Sequence, residues 1–139
     1  MATAPAPIQV SLYDGAYGPT LRIDLQSLAH VELLRAMLRS LRDGAHASVE
    51  LSAGAAWAFD GLSELVLTTD PRAVAGARAI RAGSEIRVGW RMSIDGWEYC
   101  LDLLDGLVAD DAPGHQYLTE ERKGYLLVVA AFLEPRPAR

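Results

Sequence analysis

Residues 85–108 read EIRVGWRMSIDGWEYCLDLLDGLV, and they hold both kinds of element the chain uses. From Glu85 to Met92 the side chains alternate, with Ile86, Val88 and Trp90 on one face and Glu85, Arg87, Gly89 and Arg91 on the other, the period of a half-buried strand. Ser93 then offers a hydroxyl to the first free amides of a helix. Beyond it Trp97, Leu101, Leu104 and Val108 recur at helical spacing, with Cys100 and Leu107 beside them, and predict a buried stripe. One strand feeding one capped helix is therefore the local unit.

The same unit stands earlier in the chain. Ile8 to Tyr13 alternate, Asp14-Gly15 and Gly18-Pro19 mark a turn, and alternation resumes through Leu21, Ile23 and Leu25, so a hairpin is expected. Ser27 caps a helix along Leu28, Val31, Leu34, Leu38 and Leu41, stopped at Gly44, with Arg35, Arg39 and Arg42 on another face. The halves thus share a layout, a hairpin feeding a helix, without a residue-level repeat.

His46 to Leu51 reads as a strand, and Trp57, Phe59 and Leu65 to Thr68 give two more around the Asp60-Gly61 turn. Asp70-Pro71 is a helix-start pair, but Gly76 and Gly83 reduce the segment beyond it to a short helix or a loop. Strands near Gln116 to Thr119 and Tyr125 to Leu133 pair across the polar segment from Glu120 to Gly124. The order predicts an α+β fold, a mostly antiparallel sheet with two main helices packed on one face. Pro5, Pro7, Pro135 and Pro137 mark loose ends, so residues 8–134 are expected to form one domain, with extensions at 1–7 and 135–139.

The chain of 139 residues carries a formal net charge of -5, which argues against general nucleic-acid binding. Lys123 is its only lysine, no run of about 18 apolar residues exists, and residues 1–7 lack the basic and apolar regions of a signal peptide. A cytoplasmic protein without membrane association is expected. Cys100 is the single cysteine, excluding an internal disulfide, and its place beside the apolar stripe predicts an inert buried thiol. Trp57, Trp90 and Trp97 are expected in or near the core.

Electrostatics supply the main functional signal. Asp95, Glu98, Asp102, Asp105, Asp110, Asp111 and Glu120 follow one another with no Lys or Arg between Met92 and Glu121. Glu98, Asp102 and Asp105 share a helix face at spacings of four and three. Such a face docks a basic protein partner, or is simply solvated, or pairs with Arg35, Arg39 and Arg42 of the first helix. Asp110, Asp111 and Glu120 are the candidates for a convergent cation site, though the loop pattern such sites use is missing.

His30, His46 and His115 have no second ligand at metal spacing, and no phosphate-cradling or dinucleotide glycine pattern occurs, so neither metal nor cofactor is expected. His115 follows Pro113-Gly114 in a polar loop beside Tyr117, a setting that suits a general acid or base. The candidate partner-binding residues are accordingly Asp95, Glu98, Asp102, Asp105, His115 and Tyr117.

The stretch Pro113-Gly114-His115-Gln116-Tyr117-Leu118, preceded by Trp97-Glu98-Tyr99-Cys100 and followed by the apolar run to Leu133, resembles small uncharacterised bacterial proteins. Some of those accompany polymorphic toxins as immunity proteins. The resemblance covers the final third and implies a non-enzymatic bacterial binding protein of the immunity-inhibitor type. The surface expected to serve it, the acidic helix face with the loop through His115, is read from the charges above and not from the resemblance. Two readings compete with it: a small hydrolase or isomerase acting through His115 and a nearby carboxylate, and a homo-oligomer joined through Tyr99, Trp97 or Leu107.

Overall fold

A computed structural model describes residues 6–72, 75–109 and 114–133. Its elements are β1 (Ile8–Gly15), β2 (Gly18–Leu25), α1 (Leu28–Arg42), β3 (Ser48–Ser52), β4 (Trp57–Asp60), β5 (Glu64–Thr69), β6 (Gly76–Ala82), β7 (Glu85–Met92), α2 (Ile94–Ala109), β8 (Gly114–Tyr117) and β9 (Leu127–Phe132). The fold is the α+β one expected, with most strand pairs antiparallel and the helices packed against sheet. The strands divide between two sheets, in the orders β4-β1-β2-β9-β8 and β3-β5-β7-β6.

Both helices start where the serines predict. Ser27 Oγ accepts from His30 N and Ser93 Oγ accepts from Gly96 N, at 3.3 and 3.1 Å. Each satisfies an amide that would otherwise lack a partner at the helix N-terminus. The helices pack on each other and each touches strands of both sheets. One continuous apolar core results, in which Trp90 and Trp97 meet edge to face with centroids 4.9 Å apart. All three tryptophans are buried. No helix among the described residues is long and apolar enough to cross a membrane.

The segment after Asp70-Pro71 is a strand, β6, where a short helix or loop was expected. Its sequence, GARAIRA, has little intrinsic strand preference. It forms because β7 supplies a complete antiparallel ladder, Gly76 opposite Arg91 through Ala82 opposite Glu85. The strands flanking Asp60-Gly61 separate, β4 going to one sheet and β5 to the other. Gly61 makes that turn at φ +86°, and a Cβ there would stand 2.6 Å from the Leu12 carbonyl oxygen.

The shared layout of the halves extends to their hydrogen-bonded ladders. Each half runs hairpin, helix, strand pair: β1-β2-α1-β3-β5 and β6-β7-α2-β8-β9. Both hairpins turn in two residues, Gly15 facing Gly18 and Ala82 facing Glu85. Parallel ladders of equal length join Thr20–Leu25 to Leu127–Phe132 and Arg87–Met92 to Glu64–Thr69. Each hairpin therefore pairs with the strand pair of the other half. Matched by ladder position, Leu21, Ile23 and Leu25 correspond to Val88, Trp90 and Met92, and all are buried. Matched from the cap serines, Val31, Leu34, Leu38 and Leu41 correspond to Trp97, Cys100, Leu104 and Leu107, again all buried. The structure is a swapped pair of similar units, with β4 added along β1.

Candidate functional site

The acidic face of α2 is partly neutralised across the helix pair. Arg42 Nη1 donates to Glu98 at 2.8 Å, and Arg35 pairs with both Asp105 and Glu32. Asp43, and after it Glu98, holds the Arg42 guanidinium firmly protonated, while Arg42 holds the Asp43 carboxyl below its ordinary value. Of the three readings of this face, pairing with the arginines of α1 describes Glu98 and Asp105. Asp95 and Asp102 stand exposed, with no ion pair among the described residues. Asp110, Asp111 and Pro113 lie outside the described residues. Glu120 is described, and no three potential metal-ligating side chains converge among the described residues.

His115 and Tyr117 project from the same face of β8, opposite Ala131 and Val129 of β9. Their rings meet edge to face at 5.5 Å. They line a shallow hollow of about 390 Å³ with Tyr13 and Arg22 on the outer face of the sheet. Asp24 lies on that face but is held by Arg22 Nε at 2.6 Å. Among the described residues no carboxylate hydrogen-bonds to His115, whose nearest aromatic neighbour is Tyr117. The hollow offers two aromatic rings set nearly at right angles beside a paired guanidinium.

Tyr117 also borders a second cleft, of about 380 Å³, on the α2 side. Tyr99 enters it from the helix face opposite the buried stripe, 58% exposed. Tyr125 closes one wall, and it lies against Gly76, where a Cβ would come within 2.8 Å of the ring. Met92, Leu118 and Leu126 form an apolar floor, while Glu120, Glu121 and Arg122 make the rim. The Arg78 and Arg122 guanidinium carbons lie 5.3 and 5.2 Å from the centre of the Tyr125 ring, in the range of cation–π attraction. Arg122 also donates to Ala75 O, which ties the loop before β9 to the start of β6.

On α2, Asp95 and Asp102 stand one turn either side of Tyr99, while Glu98 and Asp105 turn toward Arg42 and Arg35 of α1. His115 and Tyr117 lie together on β8, and of these two only Tyr117 borders the cleft that Tyr99 enters. Sequence reasoning named Tyr99 only as an oligomer contact and passed over Tyr125 and Arg122. Tyr99 carries a legible signal, an aromatic ring off the apolar stripe of an amphipathic helix. Tyr125 and Arg122 carry none, because their role depends on the approach of β6. Trp97 and Leu107, expected among oligomer contacts, are 0% and 2% exposed and belong to the core. No family model matches the chain, and neither curated proteins nor solved structures give a match.

Proposed function

We propose that the protein is a non-enzymatic binding protein that takes a basic protein partner on the tyrosine-lined cleft and the adjoining exposed acids of α2. The observation that carries this reading is the cleft itself: Tyr99 and Tyr117 stand exposed over the apolar floor of Met92, Leu118 and Leu126. Tyrosine presents a large amphipathic surface at low entropic cost, and such rings dominate binding energy when a partner seals them from water. Glu120 and Glu121 border the cleft, Asp95 and Asp102 share the helix face of Tyr99 at spacings of four and three, and together they steer a positively charged surface toward it. An inhibitor of the immunity type is the form of this reading that the resemblance of the final third supports.

The test uses the tagged protein to capture its partner from a lysate of its own host at low salt, followed by titration of the purified partner. Replacing both Tyr99 and Tyr117 with alanine is expected to weaken binding by at least about a hundredfold, the scale of two interface anchors. Replacing Asp95 and Asp102 with lysine is expected to slow association and flatten its salt dependence. Equal affinity of the tyrosine double variant overturns the proposal. Reversing Glu98 and Asp105 instead is a poor probe, since it sets lysines against Arg42 and Arg35 and perturbs the helix pair.

A further inference from the structure

The swapped repeat is incomplete at one edge, along β6. Leu126 N donates to Ala77 O at 2.8 Å, on the side of β6 away from β7. Main-chain groups alternate sides along an antiparallel strand, so the amides and carbonyls of Ala79 and Arg81 point the same way as that carbonyl. Among the described residues nothing pairs with them there. The corresponding edge of β1 is covered, because β4 runs along it from Ile8 opposite Trp57 to Ser11 opposite Asp60. The connection between β8 and β9, which holds the place of β4 in the second half, pairs its main chain with β6 only at Ala77 among the described residues, and its Tyr125 ring lies against Gly76 and Arg78.

The surroundings of this edge are basic in a chain that is acidic overall. Arg78, Arg81, Arg87 and Arg91 are all exposed on β6 and β7, and Glu85 is the one acid in the two strands. Their ion pairs are long, Arg87 to Glu85 at 3.7 Å and Arg91 to Asp70 at 3.8 Å. Beside the edge a hollow of about 580 Å³ opens over Gly89, between Arg78, Ile80 and Arg91. A Cβ on Gly89 would meet nothing within 4 Å, and Ile80 is 62% exposed.

We propose that β6 is a docking edge for an extended acidic segment of a partner protein, which adds to the sheet as a further strand. Its main chain pairs with Ala79 and Arg81, as β4 pairs with β1. Its side chains at alternate positions share one face, which places carboxylates toward Arg78 and Arg91. A second copy of this chain is the poorer occupant, because pairing β6 with itself brings arginines toward arginines. The edge adjoins the tyrosine cleft, its hollow sharing Gly76 and Tyr125 with it. Ala79 lies outside the cleft lining, and Tyr99 and Tyr117 lie outside the hollow, so Ala79→Pro and the tyrosine variants test the two sites apart.

The experiment selects displayed unstructured peptides of about ten residues against the full-length protein, then titrates the enriched ones by amide NMR. Enriched peptides are expected to carry Asp or Glu at alternate positions and to shift the Ala79 and Arg81 amides. Affinity is expected to fall at least about tenfold for Ala79→Pro, which removes an outward N–H and spares the ladder to β7. The Arg78→Glu, Arg91→Glu double variant is expected to lose as much, and it carries the test where the proline variant fails to fold. Enrichment of no acidic peptide, or binding untouched by these variants, overturns the proposal. So does a dimer in sedimentation that Ala79→Pro disperses, which assigns the edge to a second copy.

Discussion

Burial pushes the Cys100 thiol up to about 12. Its sulfur lies within the core, 3.5 Å from Leu118 O, where a thiolate would lose its hydration. A raised native pKa for an acid means that the folded state keeps the proton the unfolded chain releases. The stabilisation is complete below pH 9 and is lost as pH climbs from 9 toward 12, at roughly 1.4 kcal/mol per pH unit. Urea unfolding of the wild type and Cys100→Ala at several pH values through that window is expected to show the wild type losing its advantage steadily. Parallel profiles would remove burial as the cause. The inert thiol was legible from its place beside a helical stripe. His30 was not: Gln26 N donates to its Nδ1 at 3.0 Å, so its Nε2 carries the proton and donates to Ala6 O at 2.6 Å. No local pattern announces a buried histidine whose partner lies on a strand's approach two elements away.

At the scale of elements, a short relay ties both helices to one sheet. Trp97 Nε1 of α2 donates to Thr69 Oγ1 at the end of β5, and Thr69 Oγ1 donates to Leu41 O in α1. Trp90, set edge to face with Trp97, has a buried Nε1 with no hydrogen-bond partner among the described residues. The two tryptophans should therefore answer differently to phenylalanine. Trp97→Phe loses a buried hydrogen bond and ring volume, while Trp90→Phe loses volume and sheds an unsatisfied donor. Trp97→Phe is expected to cost about 1–2 kcal/mol more, read from denaturation midpoints at constant slope. A larger loss for Trp90→Phe would mean that ring packing alone sets both values. Elements whose own residues specify them were readable, such as the helices behind Ser27 and Ser93. The strand β6 was not, since only its N-terminal Gly76 and Ala77 are buried and its conformation is imposed by β7. The cleft inherits that blind spot, for Tyr125 becomes a wall only when β6 brings Gly76 beneath it.

Over the whole molecule, the swap decides how the chain can fold. A hairpin of one half leans on the strand pair of the other, β2 on β9 and β7 on β5, so neither half completes a sheet from its own residues. The repeated layout was visible in sequence because capping and periodicity are local. The exchange was not, because pairing partners such as Leu21 and Val128 lie at opposite ends of the chain. Among the matched core positions of the helices only Leu38 with Leu104 and Leu41 with Leu107 are identical, so burial rather than residue identity carries the repeat. A fragment of residues 1–74 has the edges of both sheets but lacks β9 to cover β2 and β7 to cover β5. It is expected to be unfolded alone, as is 75–139, and the mixed fragments are expected to recover the circular dichroism of the intact chain. Intact protein is expected to unfold in one transition, since no unit within it owns a separate core. A cooperative melt from residues 1–74 alone would show that one half closes its own sheet, and the swapped ladders would then be an addition to an autonomous unit rather than the framework that makes the two halves one.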